Sequence, residues 1–322
     1  MKILITGGAG FIGSHLAEAY LDKGDSVYVI DDLSTGSISN IKHLKERNFF
    51  HYVIDSIMNK TLMAELVDDA DIIFHLAAAV GVKLIIESPV KTIETNIKGT
   101  EIILSLASKK KKPVVIISTS EVYGKSKANK FSEDDDLILG PSYIGRWSYA
   151  ASKAIDEFLA LAYYKEKHVP IYIVRLFNTV GPRQTGRYGM VIPRFVSQVI
   201  KGDPITVYGD GKQTRTFIHV KDAVNAMMQL VTHKDALGDI FNIGGQEEIS
   251  INELACIVNK TLNRSSEIVH ITYDKAYEEG FEDMRRRYPD TNKIKGLFNF
   301  NLQYKLQDII LDTAAYYKKH SI

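Results

Sequence analysis

Ile3-Leu4-Ile5-Thr6-Gly7-Gly8-Ala9-Gly10-Phe11-Ile12-Gly13-Ser14-His15-Leu16 decides the fold of this chain. A β-branched apolar run enters a glycine turn, and an amphipathic stretch from about Ile12 to Lys23 leaves it. Strand, turn and helix in that order are the context in which spaced glycines read as a dinucleotide fingerprint. Gly7 permits the tight turn, and Gly10 lets backbone approach a pyrophosphate at the helix N-terminus. Gly13 allows helix and strand to pack closely. The next apolar run, Ser26-Val27-Tyr28-Val29-Ile30, ends in Asp31-Asp32, about 20 residues beyond the glycines. A carboxylate there accepts from adenosine ribose hydroxyls and repels a 2′-phosphate, which predicts NAD over NADP.

Working outward, strand-like runs at Lys2–Thr6, Ser26–Ile30, Phe49–Val53, Ile72–Leu76, Val114–Ser118 and Ile171–Leu176 alternate with helical patterns, among them Pro89–Lys110 and Ser148–Lys167. Repeated βα units of this kind predict an α/β fold, a Rossmann-type doubly wound parallel sheet. After Asn178 the chain turns loop-rich, which predicts a smaller α/β lobe for substrate. The expected division is residues 1–177 for the dinucleotide domain, with a return to it at about 216–248 through a helix Asp222–Val231 and a strand Ile240–Ile243. Residues 178–215 and 249–322, with helices near Asn252–Leu262 and Gln307–Lys318, then form the second lobe.

Composition narrows the function. The 322 residues are 45% hydrophobic and 25% charged, with a net charge of +1, so no long-range field draws the chain to nucleic acid or an acidic membrane. Lys109-Lys110-Lys111-Lys112 reads as a solvated helix C-terminus, where the macrodipole favours cations. Cys256 is the single cysteine; no internal disulfide is possible, and a cytoplasmic protein is expected. The nine histidines show no metal-ligand spacing, so no metal is expected. His75 and His219 read as structural histidines at strand ends.

The chemistry is carried by Trp147-Ser148-Tyr149-Ala150-Ala151-Ser152-Lys153. Tyr149 and Lys153 are four apart on one helix face. A cation beside a phenol favours the phenolate and lowers its pKa, which makes a base for a sugar or alcohol hydroxyl. Thr119-Ser120-Glu121-Val122-Tyr123-Gly124 follows a sheet strand and brings hydroxyls and a carboxylate towards that helix.

Further along stand Arg175-Leu176-Phe177-Asn178-Thr179-Val180-Gly181-Pro182-Arg183, Ile205-Thr206-Val207-Tyr208-Gly209-Asp210-Gly211, Gln213-Thr214-Arg215-Thr216-Phe217 and Met284-Arg285-Arg286-Arg287-Tyr288-Pro289-Asp290. With the glycine fingerprint, this set resembles the extended short-chain dehydrogenase/reductase family that acts on nucleotide sugars, nearly end to end and in the family's order. The resemblance implies that Gly7, Gly10, Phe11, Ile12, Gly13, Asp31, Asp32, Asp55, Ile57, Leu76, Ala77, Ala78, Asn96, Tyr149, Lys153 and Val180 hold NAD. It implies that Asn178, Val191, Thr206, Val207, Tyr208, Arg215 and one or more of Arg285, Arg286 and Arg287 hold a nucleoside diphosphate sugar, a UDP-sugar above all. Arg146, Arg187 or Arg215 can meet a uronate carboxylate by charge-assisted bonding. It also implies a homodimer.

Within the family, Tyr149 takes the O4 proton, Thr119 steadies O4, and the C4 ketone then epimerises, dehydrates or decarboxylates. The Thr-Ser-Glu string resembles UDP-glucuronate decarboxylases, with 4,6-dehydratases close behind, whereas simple C4 epimerases usually carry a neutral residue in place of Glu121. The expected catalytic set is Tyr149, Lys153, Thr119, Ser120 and Glu121. A non-catalytic sensor of NAD or a nucleotide sugar is the alternative from another class, since fold alone does not fix function. An intact base argues against it.

Overall fold

The computed structural model describes residues 1–79, 88–185, 190–272 and 284–320. The first half runs β1 (Lys2–Thr6), α1 (Phe11–Asp22), β2 (Ser26–Asp31), β3 (Phe50–Ile54), α2 (Lys60–Asp69), β4 (Ile72–His75), α3 (Pro89–Lys110), β5 (Val114–Thr119), α4 (Trp147–Lys167) and β6 (Ile171–Leu176). The second half has β7 (Thr179–Val180), α5 (Val191–Lys201), β8 (Ile205–Tyr208), β9 (Thr214–Arg215), β10 (Ile218–His219), α6 (Val220–Leu230) and β11 (Asp239–Ile243). It closes with β12 (Ile249–Ser250), α7 (Ile251–Thr261), β13 (Ile268–Ile271), β14 (Arg286–Arg287), α8 (Asn292–Leu297) and α9 (Leu306–His320).

Seven strands form one sheet in the order β11-β6-β5-β4-β1-β2-β3, and every pairing in it is parallel. Such strands are covered on both faces, which is why β1 reads as an unbroken apolar run. Ile3 and Ile5 pack with Leu16 and Tyr20 of α1 and with Val224 and Met227 of α6. Leu4, pointing the other way, packs with Met63 and Val67 of α2 and Ile103 and Ala107 of α3. Because β1 pairs with both β2 and β4, the strand order reverses there. The crevice beyond Thr6 and His75 is therefore the switch point at which doubly wound sheets take ligands.

Where element ends differ from the sequence reading, local causes are visible. Phe49 sits at φ 68 and cannot extend β3. His219 caps α6, its Nδ1 accepting from the Lys221 N–H at 3.1 Å, so the helix starts before Asp222. The lysine run ends α3 as expected: Lys111 is left-handed at φ 53, Lys110 pairs with Asp68, and Lys112 Nζ donates to the Ala70 carbonyl at 2.6 Å.

A separate core joins Phe195 and Val196 of α5, Val207 of β8, Leu254 of α7 and Ile310 of α9. The short helix α8, not foreseen from sequence, returns to the main sheet, where Ile294 joins the core on the α1 side. Two polar ties cross the molecule. Glu157 takes a bidentate ion pair from Arg175, at 3.0 Å from Nε and 2.7 Å from Nη2. Buried Asn242 of β11 accepts from the Tyr123 hydroxyl at 2.8 Å and donates to the Phe131 and Asp290 carbonyls at 2.8 and 3.2 Å.

Candidate active site

The crevice holds a cavity of about 1090 Å³ that runs from the glycine turn to the start of α5, the end of β8 and β9. Gly10 precedes α1 in extended backbone, and no side chain caps the helix, so its first N–H groups face the cavity beside Phe11, Ile12 and Gly13. The glycines are required by contact: a Cβ on Gly7, which lies at φ +71, would stand 2.7 Å from the Ala77 nitrogen, and one on Gly13 would stand 2.3 Å from the Gly7 oxygen. Asp31 lines the cavity, its oxygens accepting from the Ala9 N–H at 2.9 Å and the Leu33 N–H at 2.8 Å. Burial nevertheless pushes its carboxyl above the usual value, against the lowering by those backbone bonds. Asp32, Asp55, Ile57, Leu76, Ala77, Ala78 and Val180 also line it. An open helix N-terminus, a glycine turn and a carboxylate at the end of β2 fit an adenine dinucleotide. Asn96 stands behind the wall instead, accepting from the Ala79 N–H at 2.8 Å and donating to Ser152 Oγ at 3.0 Å.

Beyond the dinucleotide half, Thr119, Ser120, Glu121 and Tyr149 share the cavity wall, with Tyr149 hydrogen-bonded to the Thr119 side chain. Here one expectation is corrected. Burial, then Glu121 and Asp156, push the Tyr149 phenol above its ordinary value, while Thr119 pulls it down. No lowering by Lys153 enters that balance; Lys153 Nζ donates to Asp156 Oδ2 at 2.6 Å. Spacing placed Lys153 on the right face but could not show what else meets it there.

Glu121 is the centre of a cationic cluster. Arg287 Nη2 reaches its Oε1 at 2.5 Å and Arg146 Nη2 its Oε2 at 3.1 Å. Burial opposes its ionisation, but Arg287, Arg146 and Arg215 together hold its carboxyl below the usual range. Arg146, Asn178, Val191, Tyr208, Arg215 and Arg287 line the cavity. Of the three arginines 285–287, only Arg287 lines it: neighbours on a strand face opposite ways, and Arg286 pairs with Glu248 at 2.5 Å, Arg285 with Asp210 at 2.9 Å. The same alternation sends Val207 into the lobe core while Tyr208 meets the cavity. Thr206, on the same face of β8 as Tyr208, does not line the cavity; its hydroxyl accepts from Gln198 Nε2 at 2.8 Å. Arg187 lies outside the described residues.

Sequence reading passed over Arg194 and Arg183. Arg194 lines the cavity with its guanidinium 3.7 Å from the Tyr208 ring centroid; nothing in the surrounding amphipathic helix marks it. Arg183 lines the cavity too, and the Gly181-Pro182 turn before it was a usable signal. His75, between Thr6 Oγ1 at 2.8 Å and Thr100 Oγ1 at 3.2 Å, is held neutral by burial and by Lys153, its pKa down to about 3. Burial likewise takes His219 down to about 4. Among the described residues no three His, Cys, Asp or Glu side chains are grouped to hold a metal.

A doubly wound sheet with a Tyr-x-x-x-Lys helix beside an open dinucleotide crevice defines the class, an extended short-chain dehydrogenase/reductase. Residues 4–313 match the family model described as GDP-mannose 4,6 dehydratase, and the chain belongs to that family. It is 43% identical over 319 residues to the UDP-N-acetyl-alpha-D-glucosaminuronate decarboxylase of Bacillus cytotoxicus, covering 99% of this chain and 98% of that one. UDP-glucuronic acid decarboxylase 1 of Xenopus tropicalis is 33% identical over 320 residues, 99% of this chain and 72% of the relative. Among solved structures, UDP-glucuronic acid 4-epimerase from Bacillus cereus, in complex with UDP-glucuronic acid and NAD, superposes with a TM-score of 0.89 at 30% identity, covering 99% of this chain and all of that one (100%).

Proposed function

We infer that this chain is an NAD-dependent decarboxylase of a UDP-linked hexuronate. The observation that carries the reading is Glu121, ionised among Arg146, Arg215 and Arg287 beside Thr119 and Tyr149. Bound NAD supplies a reversible hydride acceptor for sugar C4. Tyr149 takes the O4 proton and Thr119 bonds O4. Arginines of the cluster pair with the diphosphate and with the uronate carboxylate. Once C4 is a ketone, the C6 carboxylate lies β to it; the C5–C6 bond breaks, carbon dioxide departs, and its electron pair is left at C5. C5 then takes a proton from solvent water, which the ionised Glu121 carboxylate orients. Tyr149 returns its proton to O4 as the hydride returns to C4, so that the net change is loss of carbon dioxide alone. The 43% identical relative, matched over 98% of its length, favours a uronate with a 2-acetamido group over one with a 2-hydroxyl. Incubation with both UDP-uronates and their parent UDP-sugars tests this. Products lighter by one carbon dioxide are expected from the uronates, while loss of water or an unchanged mass would replace the reading with dehydration or epimerisation.

Asp31 sets the cofactor in this reading, meeting the adenosine ribose from the end of β2. Wild-type protein should bind NAD well ahead of NADP, and Asp31→Ala should narrow the gap; equal affinities in the wild type would show that Asp31 serves another purpose. In this reading residues 178–215 and 249–322, apart from the stretch around α8 that packs on the main sheet, form the lobe that holds the sugar nucleotide, and about 216–248 belong to the dinucleotide domain. We place the protein in the cytoplasm, consistent with a free, exposed Cys256; no described helix is long and apolar enough to cross a membrane.

The reading includes a homodimer. Val90 and Ile93 of α3 and Ile155 and Phe158 of α4 are exposed, Val90 and Phe158 to more than two-thirds (69% and 68%). A two-fold copy laid on these helices makes a four-helix bundle that covers them. Light scattering should report about twice the 36.1 kDa chain mass, and Phe158→Glu should shift it towards the monomer.

A further inference from the structure

The mechanism proposed so far has no use for Asp156, yet this carboxylate is fully enclosed. Its side chain is 0% exposed and its partner Lys153 3%, with Nζ and Oδ2 2.6 Å apart. Residues 149, 153 and 156 fall at i, i+4 and i+7, one stripe along α4. Burying a charged pair this deeply carries a large desolvation cost, and a simple tyrosine base would need the lysine alone. From α3, Thr100 stands beside Asp156 and meets His75 Nε2 of β4 at 3.2 Å. His75 in turn meets Thr6 of β1 at 2.8 Å. Lys153 is the partner of Oδ2, while buried Oδ1 has no hydrogen-bond partner among the described residues.

We propose that Asp156 is a positioning residue that holds the Lys153 ammonium and sets the pH range over which Tyr149 works. The proposal rests on Tyr149 being the base of the reaction. A base that must return the same proton later in the cycle works best when neither form is locked in. Lys153 alone would hold the phenolate; Asp156 offsets it. The groups facing Tyr149 are Thr119 and Glu121 from the segment after β5, with Glu121 held by Arg146, Arg215 and Arg287, and Lys153 and Asp156 from its own helix. Those facing Asp156 are Lys153 and Glu157 on α4 and Thr100 on α3, with neutral His75 one bond further. The sign follows from charge: a carboxylate disfavours the phenolate, so its removal lowers the pH at which the phenolate forms.

The test uses the full-length enzyme with Asp156→Asn and Asp156→Glu. Two readouts are taken across pH, the initial rate and the near-ultraviolet tyrosinate absorption that is missing when Tyr149→Phe is added. In Asp156→Asn, the rising acidic limb and the tyrosinate band should both move to lower pH by about one unit or more, and Asp156→Glu should bring them back. Folded Asp156→Asn with both curves unmoved would overturn the proposal. Asp156→Ser replaces the asparagine variant if that one does not fold. Collapse of both neutral variants would also overturn it, because the ion pair would then serve only to hold α4 in place. A wild-type acidic limb that persists at full rate in Tyr149→Phe would instead remove the assignment of Tyr149.

Discussion

Tyr149→Phe is expected to keep dinucleotide affinity while turnover falls by a factor on the order of 10² to 10⁴, the usual scale of a lost general base. The substitution deletes one oxygen from a half-buried side chain on the cavity wall, whose hydrogen-bond partner, the Thr119 side chain, remains. It leaves the glycine turn, Asp31 and the open N-terminus of α1 untouched, so binding and chemistry should separate cleanly. Burial, Glu121 and Asp156 hold the phenol protonated in the free protein, so the rate should climb with pH as the phenolate forms, and the variant should lose that dependence. Dinucleotide titration and turnover measured on one preparation check both halves. Full activity would sink the assignment.

Glu121→Gln should divide the reaction in two. Tyr149 and Thr119 carry the first half and stay in place, so reduced nicotinamide should build up on the enzyme within a single turnover. Steps that follow the ketone should slow by a factor on the order of 10² to 10⁴. The neutral amide also leaves Arg146, Arg215 and Arg287 facing one another without the carboxylate that now joins them. A loss of stability alone would therefore reduce both halves together, and near-normal turnover would point to plain epimerisation. Either result would remove the reason for ranking decarboxylation first.

Local signals made most of the scaffold legible. The six strands of the first half sit within one residue of their apolar runs; inner strands such as β1 and β6 are apolar because both their faces are buried, whereas β3 at the sheet edge is largely exposed. The glycine turn and Asp31 were readable because each needs one residue type at one backbone position. What stayed hidden depends on distant partners. Glu121, Arg146, Arg215 and Arg287 meet from four separate segments, and no spacing rule links them. The choice among Arg285, Arg286 and Arg287 turned on which face of a two-residue strand meets the cavity. Asp156 was in view all along at i+3 from Lys153, but only its complete enclosure gives the pair meaning.

Asn242 makes the order of synthesis matter. Its carboxamide joins Phe131, already made when β11 emerges, to Asp290, which is not. Arg287, the nearest cation to Glu121, arrives only three residues ahead of Asp290 in the same late segment. N-terminal portions of a chain generally fold first as they leave the ribosome. The crevice between β1 and β4 is thus complete while the acidic centre still lacks an arginine and a buried amide still lacks its acceptor. The glycine crevice is built from residues made early, and the contact of Arg287 with Glu121 comes from β14, the last strand among the described residues.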